Sequence, residues 1–469
     1  MKKIFTALLF AGLSGLASAD NLPFTHTAGL LDATDTNALG LSVAAGTETV
    51  TVFAPTDDTD HFSNGIVMIS FKGALYCMWQ SSQKDEDASD TWVAYSRSTD
   101  EGKTWSKPMV IAETIANGYC SSGGWHATAD TLVAYINTWP DNLSPKGGYT
   151  RYVTSTDGLT WSEPAEVKMA DGSRMEGIFE QDPHVLPNGR IVNAAHMQPG
   201  LKVTPIYTDD PTGIRGWKKG NFTYTANGDQ SRELEPSLYR KADGTLVMIF
   251  RDQKSTYYKM AATSTDNGET WSSAVLTEFP DARTKQSAGN LPDGTAYFAC
   301  NPVNNKLRSP LALVLSKDGD LFDTAYLLRA NDEMPTLRYS GSAKRAGYHY
   351  PKSMVYNNYL YVAYATNKED VQYTRVPLSS ISLNGGASGI ESIAIDGVKV
   401  FAAGKELHIQ LASASSIDVE VFTIAGNKVL TFAAYGSEAT HDISALSTGM
   451  YVVRVKTTQG VTSSVILAK

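Results

Sequence analysis

The edges of the β-rich runs in this chain carry an unusual concentration of charge. Glu180 and Asp182 lie at one such edge, Arg232, Glu233 and Glu235 at a second, and Arg283 and Lys285 at a third. Tyr348, His349, Tyr350 and Lys352 form a fourth group, and His196, Arg251 and Asp252 close other runs. Guanidinium forks hold carboxylates through two parallel hydrogen bonds, while glutamate, aspartate, tyrosine and histidine move protons. Together they are equipment for gripping and processing an acidic ligand. The P-loop, Rossmann, H-E-x-x-H and EF-hand patterns are absent from the sequence. No metal ligand set and no cofactor are expected, and only a structural calcium, at the Asp-rich stretches 55–60 or 85–90, stays open.

A repeat would position these side chains. Ser98–Trp105, Ser155–Trp161, Ser264–Trp271 and the weaker Ser316–Phe322 share a Ser-x-Asp-(x)-Gly-x-x-aromatic pattern, with a degenerate copy at Tyr207–Trp217. Their starts are 52 or 57 residues apart. In each, aspartate bonds its own turn amides, glycine takes a positive φ and the aromatic ring plugs the unit. Between them recur Lys72-Gly73, Asn188-Gly189, Asp243-Gly244 and Asp293-Gly294, each a tight turn between β-rich runs. The unit is four strands, one blade of a propeller. Six blades begin near His61, Gly123, Glu176, Arg232, Asp281 and Gly347, and Leu22 to Pro55 adds a closing strand or a seventh blade. Strand direction places the aspartate turns on one face. The charged edges lie on the other, where such density is costly unless paired or wetted by a site.

These turns resemble the Asp boxes of sialidase-type (neuraminidase, BNR-repeat) β-propellers, a likeness covering about residues 62–376. Glu235 to Arg251 resembles the family's fourth blade, in which glutamate and arginine bracket one hairpin, and Arg308 lies where the family has another binding arginine. Phe62-Ser63-Asn64-Gly65 stands where the family has an aromatic-Arg-Ile-Pro motif, with Ser63 replacing the arginine. The resemblance implies that Arg251 and Arg308 bind a sugar carboxylate and that Glu235 activates a nucleophile, Tyr350 or Tyr348. It makes Asp87 the acid, and Arg232, Arg283 or Lys285 substitutes for the missing arginine. A tyrosine nucleophile suits a substrate whose carboxylate would repel a carboxylate nucleophile. Exo-hydrolysis of a sialoside is the first expectation. A polysaccharide lyase acting next to a uronic acid, in an ulvan-like or rhamnose–uronate glycan, is the second. It would use Arg251 with His126, His184, His196 or a tyrosine such as Tyr257 or Tyr258. A non-catalytic glycan-binding propeller is the third.

The ends of the chain set its destination. Met1-Lys2-Lys3, the apolar run Ile4–Leu16 and Ala17-Ser18-Ala19 read as an export signal over 1–19. No later stretch is apolar and long enough to span a bilayer. The propeller is expected over 20–383, a small-residue linker over 384–389 and a β-sandwich over 390–469. Asp418–Leu430 with Asp442–Tyr451 resembles the C-terminal sorting domain of Bacteroidota type IX secretion. That implies the secretion machinery as partner and a secreted or outer-membrane-surface location. The net charge of −9 speaks against nucleic acid as partner and leaves attraction of an acidic oligosaccharide or polysaccharide to local arginines. Three cysteines without C-x-x-C spacing exclude a disulfide scaffold, and one Cys77–Cys120 bridge stays open. The whole reads as all-β, a sialidase-like β-propeller followed by a small C-terminal β-sandwich.

Overall fold

The computed structural model describes residues 22–180, 182–223, 233–384, 398–423, 428–457 and 460–468. The export signal 1–19, linker residues 385–389 and Arg232 lie outside them. Alternating and continuous apolar runs, broken by the Gly-containing turns, form six sheets of four main strands each. Their first strands are Phe62–Phe71, Gly118–Ala127, Gly177–Phe179, Glu233–Arg240, Ser287–Asn290 and Tyr348–Tyr356, in blades one to six. These line the axis, and the later strands step outward. Strand Glu48–Phe53 pairs antiparallel with Asp370–Pro377 and completes blade six from the outside. The N-terminal segment thus closes the ring, and a seventh blade does not form. Further back, Thr25–His26 pairs in parallel with Leu321–Phe322 beside blade five.

Two blades begin elsewhere than expected. The inner strand of blade two starts at Gly118, so Trp125 and His126 fall at its far end. That of blade five starts at Ser287, after a non-strand segment carrying Asp281 to Gln286. At the C-terminus, Glu406–Thr423 breaks register between Gln410 and Ser415. It pairs with Lys399–Ala403 before the break and with Gly449–Thr457 after it. Leu407, Ile409, Ile417, Val419, Val421, Val453 and Val455 fill one core between these layers, which is the small sandwich.

The three cysteines are free and buried. Cys77 faces the core shared by blades one and six, whereas Cys120 faces that between blades one and two. The Cys120 sulfur accepts a hydrogen bond from Arg151 at 3.4 Å. Opposite packing directions exclude the Cys77–Cys120 bridge.

The aspartate turns weld the ring. In the first, Asp100 accepts from the Thr104 amide at 2.9 Å and its hydroxyl at 2.7 Å. The glycine carbonyl of such a turn takes a tyrosine hydroxyl from the neighbouring blade. Tyr373 donates to Gly102 at 3.1 Å, Tyr135 to Gly213 at 2.8 Å and Tyr239 to Gly319 at 2.8 Å. Glycine is required twice over, by φ near +71° to +85° at Gly158 and Gly102 and by contact with the phenols of Tyr76 and Tyr373. Gly158→Ala is therefore expected to lose about 2–4 kcal/mol, combining left-handed strain with overpacking. Gly172 has a φ of +81° but nothing within 4 Å, so Gly172→Ala is expected to lose only about 1–2 kcal/mol. Urea unfolding of the two variants, showing equal losses, would remove the inter-blade contact from the account.

Candidate active site

Four inner strands break register once, between Asn64 and Val67, Ser122 and Gly124, Leu234 and Ser237, and His349 and Lys352. At the first two breaks a glycine takes positive φ, Gly65 at 61° and Gly124 at 106°. At the other two the same role falls to Glu235 at 52° and Tyr350 at 55°. Each is followed by a proline, Pro236 or Pro351, which withholds a ladder hydrogen bond and fixes the exit from the bulge. A side chain in this region costs about 1–2 kcal/mol relative to glycine. The strain re-aims Glu235 and Tyr350 out of their sheets, and strain of this kind clusters at functional sites.

Both residues line one cavity of about 400 Å³, together with Asn64, Gln80, Glu86, Asp87, Tyr119, Trp139, Lys146, Glu180, Arg251, Gln253 and Lys285. Arg251 ends the strand that pairs with the Glu235 strand, opposite Leu234. Its Nη1 donates to Glu235 Oε2 at 2.8 Å. Burial alone would raise the Glu235 carboxyl, but Arg251, Lys285 and Arg308 outweigh it and hold the carboxyl far below the usual range, at about 2. Three cations surround the Tyr350 ring, with Arg308 at 4.4 Å, Lys285 at 5.0 Å and Lys368 at 5.7 Å from its centroid. Lys285 also pairs with Glu180. The axis thus gathers Arg251, Glu235, Tyr350 and Lys285 around a common hollow, with Arg308 against the Tyr350 ring.

Asp87 sits at the rim, half-exposed, where it accepts from Tyr119 Oη and from Lys146 Nζ, both at 2.6 Å. Ser63 is fully buried at the corner where the resemblance implies an arginine. Its amide donates to the Lys368 carbonyl at 2.9 Å. The Lys368 ammonium stands 5.4 Å from the Phe62 ring and bonds Glu86 Oε2 at 2.9 Å. A cation from the turn between two blade-six strands, Tyr359–Thr366 and Asp370–Pro377, therefore occupies this corner.

Other candidates stand apart from the cavity. Tyr348 is fully buried, and its hydroxyl donates to the Ala330 carbonyl at 2.9 Å. Residues two apart in a regular strand face the same way; the bulge between His349 and Lys352 breaks that alternation, so Tyr348 serves the core while Tyr350 serves the axis. His126 bonds the Pro211 carbonyl at 2.8 Å, beside the degenerate aspartate turn on the far face. Its expectation rested on the misplaced start of blade two. His184 lies beyond the cavity wall, where burial and Lys352 hold its imidazole down at about 4. His196 Nε2 accepts the Glu235 amide at 3.2 Å, leaving Nδ1 4.0 Å from Glu180. That spends the lone pair a base would need and makes His196 a positioning residue. Tyr258 is exposed and Tyr257 is not in the wall.

The sequence reading missed a second cavity, about 240 Å³, lined by Arg251, Ala282, Arg283, Lys306, Arg308 and Arg345. Arg251 stands in both walls. His349 ties together two residues of the smaller cavity, its Nδ1 accepting from Arg308 Nη1 at 3.0 Å and its Nε2 donating to the Arg345 carbonyl at 3.0 Å. Lys306 and Arg345 come from irregular loops, and nothing in their local sequence marks them. The Asp-rich stretches are occupied otherwise, Asp60 by Ser81 and Trp92 and Asp85 by Ser342 and Ala343. Among the described residues no group of three or more His, Cys, Asp or Glu side chains converges as a metal site.

Comparison with known proteins adds relatives to this geometry. The BNR repeat-like domain family matches residues 73–362, and the secretion system C-terminal sorting domain matches 403–469. The latter marks the chain for export by type IX secretion, to the medium or the outer-membrane surface. Among the described residues no helix is long and apolar enough to cross a membrane. A sialidase of Micromonospora viridifaciens is 26% identical over 227 residues, which span 42% of this chain and only 33% of that protein. A protein of unknown function from Dyadobacter fermentans superposes with a TM-score of 0.55 at 16% identity, over 71% of this chain and 99% of that one. The intramolecular trans-sialidase of Ruminococcus gnavus does so with a TM-score of 0.53 at 15% identity, over 73% and 100%. At such identities the superpositions establish the sialidase-like propeller fold.

The low carboxyl of Glu235 has a sign in acid. Its stabilising contribution is complete above the unfolded value of about 4.5 and is lost as pH falls toward about 2. Glu235→Gln is expected to cost about 1–3 kcal/mol at neutral pH. That deficit against the unsubstituted protein should shrink in urea titrations between pH 5 and about 2. A deficit constant over this range would contradict the ion pair.

Proposed function

This chain belongs to the BNR repeat-like domain family, and from that premise we propose that it is an exported glycoside hydrolase of the sialidase type, acting on an acidic sugar. One observation carries the reading: Glu235, Tyr350, Arg251 and Asp87 line the same cavity. In this reading Arg251 and Arg308 take the carboxylate of the sugar as paired donors. The Tyr350 oxygen attacks the anomeric carbon as its proton passes to Glu235, and the bond to the leaving oxygen breaks. Once its rim pair with Lys146 opens, Asp87 takes up a proton from solvent and passes it to that oxygen. Exposed pairs of this kind are worth at most about 1 kcal/mol. Water, deprotonated by Asp87, then displaces tyrosine, which recovers its proton from Glu235.

The Glu235–Arg251 contact couples binding to chemistry. A substrate carboxylate that draws Arg251 toward itself weakens the hold on Glu235 and makes it a better base. The histidines favour hydrolysis over elimination, because neither His126, His184 nor His196 is in the cavity wall. Incubation with sialosides is expected to release free sialic acid, and Tyr350→Phe or Glu235→Gln to lower kcat roughly 10²- to 10⁴-fold. Appearance of unsaturated uronate from a uronate polymer would replace hydrolysis by elimination. Binding without any product would leave a glycan receptor.

A further inference from the structure

The smaller cavity has a charge that one carboxylate does not balance. Five of its six lining residues are cationic, Arg251, Arg283, Lys306, Arg308 and Arg345, and the sixth is Ala282. Arg251 is neutralised by Glu235 at 2.8 Å. Among the described residues the other four have no carboxylate at ion-pair distance. Arg283 Nη1 has the Ser255 hydroxyl at 2.9 Å, and Arg308 Nη1 has the neutral His349 ring at 3.0 Å. Arg308 is only 3% exposed. The Nε groups of Arg251 and Arg283 are buried with no acceptor among the described residues. Burial, with Arg308 and Arg251 close by, lowers the Arg345 guanidinium from its ordinary value, the direction like charges impose.

Four cations without an ion-pair partner line so small a space, and the buried Arg308 with the half-buried Arg283 carry a cost that an anion returns. The neighbouring larger cavity has the opposite character. Its cations are matched by Glu86, Asp87, Glu180 and Glu235, so the neutral parts of a sugar belong there. At roughly 30 Å³ per water molecule, the 240 Å³ of the cationic cavity holds about eight waters. That is room for a tetrahedral oxyanion beside a carboxylate.

We propose that the acidic sugar taken by this site carries, besides its carboxylate, a sulfate or phosphate ester, and that Arg283, Lys306 and Arg345 hold that ester at the mouth of the cationic cavity. The proposal rests on the acidic-sugar reading above but concerns binding alone. Three terminal ester oxygens can accept from several guanidinium and ammonium donors at once, which a lone carboxylate cannot. Lys306 and Arg345 are exposed side chains on loops, so they can be removed without opening a core.

Equilibrium binding on the full chain tests it, with sialic acid, its O-sulfated and O-phosphorylated forms, and inorganic sulfate, phosphate and acetate as probes. One or both esters are expected to bind at least about tenfold more tightly than sialic acid, in line with added charge-assisted hydrogen bonds. Sulfate and phosphate are expected to outbind acetate at matched ionic strength. The Lys306→Ala/Arg345→Ala double variant should erase the preference for the ester, with its melting temperature checked alongside. Whichever ester shows the larger preference names the group. Equal affinity for esterified and plain sugar overturns the proposal. So does an equal loss for both ligands in the double variant, which would assign Arg345 and Lys306 to the carboxylate clamp. Turnover of sialosides without ester preference sinks this inference and spares the hydrolase. Ester or sulfate binding without turnover does the reverse.

Discussion

One contact, Arg251 Nη1 to Glu235 Oε2 at 2.8 Å, stands at the centre of the molecule's design. Six inner strands converge on one axis, so any charge placed there leaves water and must find a partner. Arg251 finds Glu235 across a single hairpin, and because Arg251 is in the wall of both cavities, the pair divides them. On one side charges are mixed and nearly balanced. On the other, cations dominate.

The bulges explain how a propeller offers chemistry at all. A regular inner strand would turn alternate side chains into the sheets between blades, as it turns Tyr348 into the core. A residue in the left-handed region breaks that alternation and sends its side chain toward the axis. Gly65 and Gly124 provide the same backbone step without a side chain, where a Cβ would meet the Ser122 hydroxyl and the Asp182 carboxylate. The strain at these two positions is borne by a ring whose blades are tied by aspartate turns and tyrosine hydroxyls. Stability on one face therefore supports strain on the other, with His196 and His349 holding the Glu235 amide and the Arg308 guanidinium between them.

The repeat made blades legible, because a turn closed by its own aspartate is a local event that spacing alone reveals. The Glu235–Arg251 pairing was legible for the same reason, as two ends of one hairpin. Tyr350 and Tyr348 could not be separated by type, and only the bulge at His349–Lys352 distinguished them. The Pro that follows both Glu235 and Tyr350 was a usable signal for that bulge. His126 misled because a five-residue error in where blade two begins moves a side chain from one face of the propeller to the other.

By itself, the sequence determined what short-range physics controls: all-β character, blade period, turn chemistry, the ends that direct export and the residues of one hairpin. Tertiary structure decided what depends on convergence of distant segments. It put Lys368 into the corner beside Ser63, closed blade six with Glu48–Phe53, and brought Lys306 and Arg345 from separate loops to Arg251 and Arg308. Those outcomes follow from how blades pack around an axis, and the electrostatic cost of burying like charges acts only once they have met.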